Sequence, residues 1–287
     1  MSEAAKSKPK ILIQLDTDPQ PSVFDAVTAI DSGVDHLLRH GAITPDAVRG
    51  LVHGAMFTRG LPDLRYTAVF VGGSDVRAGE AVLKAVRDSF FGKFRVSVLM
   101  DSNGANTTAA AALIAAIRSV GDLKGVSLAV LGGTGPVGQR VARLAARLGA
   151  DVALGSRTAE RARAAASVIE QATGATLRSF EISAVPQDAR VVVAAGAAGA
   201  VLLPKSERQS LKSLQALVDL NAVPPEGIEG VSMTARGEEV DGVKAWGALG
   251  VGGIKMKIHK RAVQELFASN ENDFDAERVL ELGRSLE

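Results

Sequence analysis

Leu128-Ala-Val-Leu-Gly-Gly-Thr-Gly-Pro-Val-Gly138 is the stretch on which the reading of this chain turns. Four apolar residues run into Gly133-x-Gly135-x-x-Gly138. A helical pattern follows over Gln139–Leu148, apolar at Val141, Leu144, Ala145 and Leu148, and then a second strand, Asp151-Val-Ala-Leu-Gly-Ser-Arg157. Strand, glycine loop, helix and strand in that order form the context that a dinucleotide site requires. Gly133 is expected to make the tight turn, Gly135 to let the backbone approach a pyrophosphate, and Gly138 to let the helix pack on the sheet. The helix N-terminus then offers N–H groups to phosphate.

The end of the second strand selects the cofactor. NAD sites place a carboxylate about 20 residues on, to bind the ribose 2′-OH. Here Gly155-Ser156-Arg157 stands in that place. A guanidinium grips a 2′-phosphate in bidentate fashion, so the site reads as NADP-binding, with NAD as a possible substitute. The cofactor-binding residues are Gly133, Thr134, Gly135, Pro136, Val137, Gly138, Ser156, Arg157, Ala195 and Gly196. Gly196-Ala-Ala-Gly199, after a strand near Arg190–Ala195, is small enough for a nicotinamide to lie flat.

The composition bounds the alternatives. The 287 residues suggest two domains, and 46% hydrophobic with 23% charged residues is ordinary for a globular protein. A net charge of +1 provides no basic footprint for nucleic acid. The absence of cysteine removes disulfides, thiolate catalysis and zinc–sulfur sites, and no metal site is expected. The longest apolar run, Val191–Leu203, is too short to span a membrane. Met1–Lys10 is polar and basic, a tail and not a signal peptide, so a cytoplasmic location is expected.

Upstream, strands are expected at Lys10–Asp16, Tyr66–Val71 and Arg95–Asp101. Helices are expected after Ser22, after Thr44-Pro45-Asp46, over Val76–Phe91, and from Asp101–Thr108 to about Val120. Alternating strands and helices imply a mainly parallel α/β layer. Downstream come a strand at Leu214–Asp219, a loop at Asn221–Gly230 with Pro224-Pro225, and glycine-rich Gly247–Gly253. Helices at Ile254–Phe267 and Asp275–Leu286 close the chain.

In open α/β sheets, ligands bind beyond the carboxyl ends of strands. Candidate substrate residues are therefore Asp16, Thr17 and Asp18, then Asp101, Asn103 and Thr108, then Asn221, with Phe24 on the first helix. Plainer roles stand beside these: helix caps at 102–108, turn formers at Asp16 and Asp18, and core for Phe24. On a helix, Lys255 and His259 share a face while Lys257 points away. A solvated cationic face is the plainer account there.

Taken together, these segments resemble the NADP-dependent methylene-tetrahydromethanopterin/methylene-tetrahydrofolate dehydrogenases of one-carbon metabolism. The resemblance lies in Asp16-Thr-Asp18 with Pro21-Ser-Val-Phe-Asp25, Asp101-Ser-Asn-Gly-Ala-Asn-Thr-Thr108, Gly132–Gly138, Asn221 with Pro224-Pro225, and Gly247-Ala-Leu-Gly-Val-Gly-Gly-Ile-Lys-Met-Lys-Ile-His259. It implies an α/β fold with a Rossmann-like NADP-binding domain (108–267) and a second α/β pterin-binding domain (1–107, completed by about 268–287). It also implies a cleft between the two and a homo-oligomer, a trimer. Phe24, Thr108, Lys255 and His259 are the catalytic-site residues it implies.

The reaction it implies turns an N–CH2–N aminal into an N–CH=N+ amidinium by loss of hydride. No substrate proton leaves, so Lys255 reads as an orienting donor and not a base, and positioning supplies most of the rate. Relatives with cyclohydrolase activity carry a Tyr-x-x-x-Lys pair; the one tyrosine here, Tyr66, is followed four residues later by Phe70, so no cyclohydrolase activity is expected. Two rivals remain. One is another NADP oxidoreductase, shikimate-dehydrogenase-like or deazaflavin-dependent, and the other is an NADP-sensing module without catalysis.

Overall fold

The computed structural model describes residues 8–287; the expected polar tail lies outside the described residues through position 7. The chain divides into two compact units. The first runs to Gly104 and takes up the chain again over Lys257–Leu282; the second is Ala105–Met256 with Gly283–Glu287.

The first unit begins β1 (Ile11–Asp16), α1 (Val23–Asp31), β2 (His36–His40) and α2 (Pro45–Phe57). It continues with β3 (Thr67–Gly72), α3 (Val76–Asp88) and β4 (Ser97–Met100). Ser22 caps α1 by accepting from the Asp25 N–H, and Asp75 caps α3 through Arg77 and Ala78, the arrangement that leaves the first-turn amides satisfied. In the second unit come α4 (Ala105–Val120), β5 (Ser127–Leu131), α5 (Pro136–Arg147), β6 (Asp151–Ser156) and α6 (Ala159–Thr173). Then follow β7 (Arg178–Glu181), β8 (Val191–Ala194), α7 (Lys205–Ser210), β9 (Ala216–Asp219), β10 (Arg236–Val240) and β11 (Val243–Trp246). Helix α8 (Ala248–Glu265) leads back to the first unit, which adds β12 (Asp273–Phe274) and α9 (Ala276–Arg284).

The first sheet has the order β12-β4-β3-β1-β2, all parallel. The second has the order β10-β11-β9-β8-β5-β6-β7, parallel except for the β10–β11 hairpin. Both orders are doubly wound, reversing direction beside β1/β3 and β5/β8, and the crevice for a ligand opens at such a reversal. Central strands are buried along their length, as parallel strands covered on both faces must be.

The structure departs from expectation in three places. Edge strand β2, with residues His36-Leu-Leu-Arg-His40, is mostly exposed and lacks the apolar run of an interior strand, so it carries little strand signal. Helix α8 starts at Ala248 and not Ile254, taking three of the glycines into its first turns. Its close approach to the preceding loop explains this: a Cβ on Gly250 would lie 1.9 Å from the Ala235 carbonyl oxygen, and one on Gly247 2.0 Å from that of Ser232. The first unit regains the chain at Lys257, within this helix, and not at 268. Among the described residues, no helix is long and apolar enough to cross a membrane.

Candidate functional site

In the second unit, the glycine loop leaves β5 and enters α5 at the sheet's reversal. The left-handed turn residue is Gly132 (φ 70°), one place earlier than expected. Gly133 serves packing instead: a Cβ there would meet Leu154 Cγ at 2.6 Å. Gly138 packs α5 against the loop, where a Cβ would stand 2.7 Å from Gly133 Cα.

Gly135 differs from these neighbours. It is the N-cap of α5 at φ −75°, and a Cβ on it meets nothing nearer than the Gly132 carbonyl oxygen at 3.6 Å. Internal packing therefore does not require glycine at 135, whereas a diphosphate passing over the loop does. No side chain caps the helix, so the amides of its first turn remain available to an anion. Thr134 accepts from Gln139 Nε2 at its carbonyl, Pro136 takes the N1 position, and Val137 follows it in the first turn. These features fit a dinucleotide.

At the end of β6, Ser156 is buried and Arg157 exposed. Thr158 beyond it caps α6 by accepting from the Arg161 N–H. The loop after β8 comes close to the glycine loop: a Cβ on Gly132 would lie 2.4 Å from Gly196 Cα. Gly196 is exposed on one side but packed on the other, where Leu202 Cδ1 would sit 2.6 Å from an added Cβ; Ala195 beside it is half-buried.

Asn221, after β9, holds its own loop. Its amide donates to the Pro225 carbonyl at 2.7 Å, while its Oδ1 accepts from the Val223 and Gly199 N–H groups. Asp219 accepts from the N–H groups of Asn221 and Ile228, and burial pushes its carboxyl above the usual range. Thr108 is half-buried in the first turn of α4, and Lys255 half-buried on α8, with Lys257 exposed. Asn106, in that same α4 turn, accepts from the buried Arg140 guanidinium of α5.

In the first unit, the loop after β1 is organised by carboxylates. Asp16 is fully buried; its Oδ1 accepts from the Asp18 N–H at 2.9 Å, its Oδ2 from the Ser22 N–H at 3.0 Å and Gln14 Nε2 at 3.2 Å. Asp18 reaches across to Ser74, accepting from its N–H at 3.0 Å and its hydroxyl at 2.8 Å. Both carboxylates hold turns, Asp16 fully buried and Asp18 half-buried. Thr17 lies against Gly73, where φ is 109° and a Cβ would fall 1.9 Å from Thr17 Oγ1. That glycine pair, Gly72-Gly73 after a strand, is a functional-loop signal the sequence analysis missed.

Phe24 is 52% exposed at the start of α1, with its ring centroid 6.3 Å from that of His259. His259 is 1% exposed. It stacks on Phe70 of β3 at 5.8 Å and 13°, and its Nδ1 lies 3.9 Å from Asp101 Oδ2. Asp101 is buried at the end of β4, and Asn103 beyond it is exposed in the left-handed region (φ 54°), where asparagine is among the tolerated residues. The structure thus gathers Phe24, Phe70 and Asp101 around His259. Lys255 lies one helical turn from His259 on the same helix, and the glycine loop forms a separate cluster on the second unit. Among the described residues, no group of acidic and histidine side chains is placed to hold a metal ion.

Residues 23–103 match the family model for methylene-tetrahydromethanopterin dehydrogenase, N-terminal. The chain is 43% identical over 284 residues to the bifunctional protein MdtA of Methylorubrum extorquens, covering 96% of this chain and 99% of that protein. It is 29% identical over 265 residues to the NAD(P)-dependent methylenetetrahydromethanopterin dehydrogenase of the same organism, covering 87% and 89%. Among solved structures, the ligand-free 5-ketofructose reductase of Gluconobacter sp. strain CHM43 matches with a TM-score of 0.54 at 14% identity, covering 98% of this chain and 99% of that one. A shikimate dehydrogenase in complex with NADP+ matches with a TM-score of 0.51 at 14% identity, covering 97% and 96%. These two share the fold alone. On the full-length relationship, the chain belongs to the methylene-tetrahydromethanopterin dehydrogenase family of oxidoreductases.

Proposed function

We propose that this protein oxidises methylene-tetrahydromethanopterin, or methylene-tetrahydrofolate, to the methenyl form with NADP as acceptor. The observation that carries the reading is the relationship to a named methylenetetrahydromethanopterin dehydrogenase over 89% of its length. A glycine loop whose Gly135 is open on the ligand side supports it. A nicotinamide held there would supply the hydride acceptor. The chain's residues bind and orient, because loss of hydride from an aminal leaves no proton for a base to remove.

In this reading the second unit binds the nucleotide. The backbone amides at the start of α5 hold the diphosphate, and Arg157 holds the 2′-phosphate. With Thr158 engaged in capping α6, one guanidinium carries the preference for NADP over NAD. The exposed ring of Phe24 offers a stacking platform for the pterin, and Thr108 and Lys255 offer polar contacts. His259, buried behind Phe24, sets the position of that ring.

Cyclohydrolase activity is not part of the proposal. The Tyr66 hydroxyl accepts from Arg65 at 2.9 Å, and Phe70 stands where the pair's lysine belongs, stacked on His259. A homo-oligomer, a trimer by resemblance, is also proposed; the exposed aliphatic stripe Val23, Val27 and Ile30 of α1 supports association.

Turnover of both methylene-pterins with NADP and NAD, followed by methenyl and NAD(P)H absorbance, tests the reading. Activity with a hydroxy acid and none with either pterin would overturn it. Lys255→Ala is expected to lower kcat by roughly 100-fold or more, as for loss of one preorganised donor, with the NADP Kd nearly unchanged.

A further inference from the structure

We propose that a groove on the first unit, outside the machinery described above, binds a small organic monoanion with an apolar body, the simplest being an aliphatic monocarboxylate. The groove, about 490 Å3, runs between α2 and the open edge of the sheet. That lies within the range of roughly 300–1,000 Å3 typical of small-molecule sites. Ile11 and Ile13 of β1 and Leu38 of edge strand β2 form an apolar floor, and Gly50 and Gly54 of α2 form the facing wall. Arg59 closes one end beside Ile11 and Thr67, the first residues of β1 and β3. Asp16 and Gly72 stand at the opposite ends of those strands, so the Arg59 end is remote from the loop that precedes Phe24.

Two independent features point to a ligand. Gly50 and Gly54 sit inside a helix, where glycine is disfavoured relative to alanine. Neither has a positive φ, and a Cβ on either meets nothing within 4 Å. No internal contact requires them, and the room they leave belongs to the groove.

The second feature is Arg59. Its Nη2 donates to the Pro9 carbonyl at 3.1 Å, which fixes the guanidinium, while Nη1 is buried without a hydrogen-bond partner among the described residues. A buried cationic donor left unpaired is costly, and an anion relieves that cost. No acidic side chain lines the groove; Arg59 and His40 are its ionisable groups. Charge thus selects an anionic head at the Arg59 end, and the aliphatic floor selects a hydrocarbon body along the glycine face.

Saturation-transfer NMR on the full chain tests this, with hexanoate as probe and hexan-1-ol and acetate as comparisons. Transfer to the hexanoate chain protons is expected, with at least tenfold weaker binding of the alcohol, which lacks the charge, and of acetate, which lacks the body. Arg59→Gln removes the anionic contact and Gly54→Leu fills the groove; each should weaken hexanoate binding at least tenfold while leaving dehydrogenase turnover within twofold. Arg59→Lys should retain part of the affinity, separating charge from folding.

The proposal is overturned by absent transfer in the natural protein, by equal binding of hexan-1-ol, or by binding that survives both Arg59→Gln and Gly54→Leu. It is also overturned if Gly54→Leu lowers the native mass in sedimentation, since the groove then belongs to an interface with a second copy.

Discussion

Alanine at Gly135 and alanine at Gly138, three residues apart in one loop, should fail in opposite ways. At 138 the new methyl meets backbone on two sides, Gly133 Cα at 2.7 Å and the Gly132 carbonyl oxygen at 2.8 Å. Neither atom can rotate away, so the loop must shift. Overpacking of this kind costs about 1–3 kcal/mol, offset by up to about 1 kcal/mol from alanine's better helix propensity. For a unit of this size, a net loss of about 1–2 kcal/mol lowers Tm by roughly 2–8 °C.

At 135 the methyl has 3.6 Å to its nearest neighbour and φ is −75°, so the unliganded protein should tolerate it. A diphosphate over the loop would be pushed off its amides, losing charge-assisted bonds worth about 1.5–3 kcal/mol in all. That corresponds to roughly a 10- to 100-fold rise in the NADP Kd. Thermal unfolding without nucleotide and a fluorescence titration with NADPH read the two effects separately. Gly135→Ala binding NADPH within threefold of the natural protein would refute the reasoning, because its glycine would then serve no ligand.

Three further outcomes are expected. Arg157→Ala should raise the NADP Kd about tenfold or more and leave NAD binding nearly unchanged, as for loss of one charged hydrogen-bonding group; equal losses for both cofactors would move Arg157 off the 2′-phosphate. Asp16→Ala should cost about 2–4 kcal/mol in urea unfolding, because it strands the Asp18 and Ser22 amides and leaves Gln14 Nε2 only its longer bond to the Ser22 carbonyl. Arg178 beside Asp188, with help from Ser127, holds its carboxyl below the usual carboxylate range. Its contribution is therefore present above the unfolded value near 3.9 and fades as pH falls through the lower folded value. The pair is largely solvent-exposed, so Asp188→Asn should cost under about 1 kcal/mol at pH 7, less at high salt, and converge with the natural protein in strong acid.

The parts of the fold that were legible are those whose signal is local. The β5–loop–α5–β6 unit shows in glycine spacing and in an apolar run that only a covered parallel strand can bury. Ser22 marks a helix start because its capping partner lies three residues away, and Thr44-Pro45 marks another through proline at the first helical position, with no side-chain cap. The β10–β11 hairpin was equally readable from Asp241-Gly242, both at positive φ, but passed unread.

What stayed hidden depends on distant partners. Gly132, not Gly133, makes the left-handed turn, and Gly196 from another strand end leaves no room there for a Cβ; at Gly73 the room is taken by Thr17, far away in sequence. The glycines of α8 read as a loop because propensity is local, whereas their purpose is contact with the loop over 232–235. Phe24 and His259 were singled out, but nothing in sequence shows that Phe70 lies behind the imidazole or that Asp16 spends its carboxylate within its own loop.

The central claim is that the substrate surrenders a hydride to the nucleotide with no proton abstracted by the protein. Methylene-tetrahydromethanopterin carrying two deuterons on its methylene carbon tests it directly, with the NADPH analysed by mass and NMR. The account predicts one deuteron at C4 of the nicotinamide, on a single face, in a one-to-one ratio with methenyl product. Unlabelled NADPH, or methenyl product formed without NADPH, would contradict it.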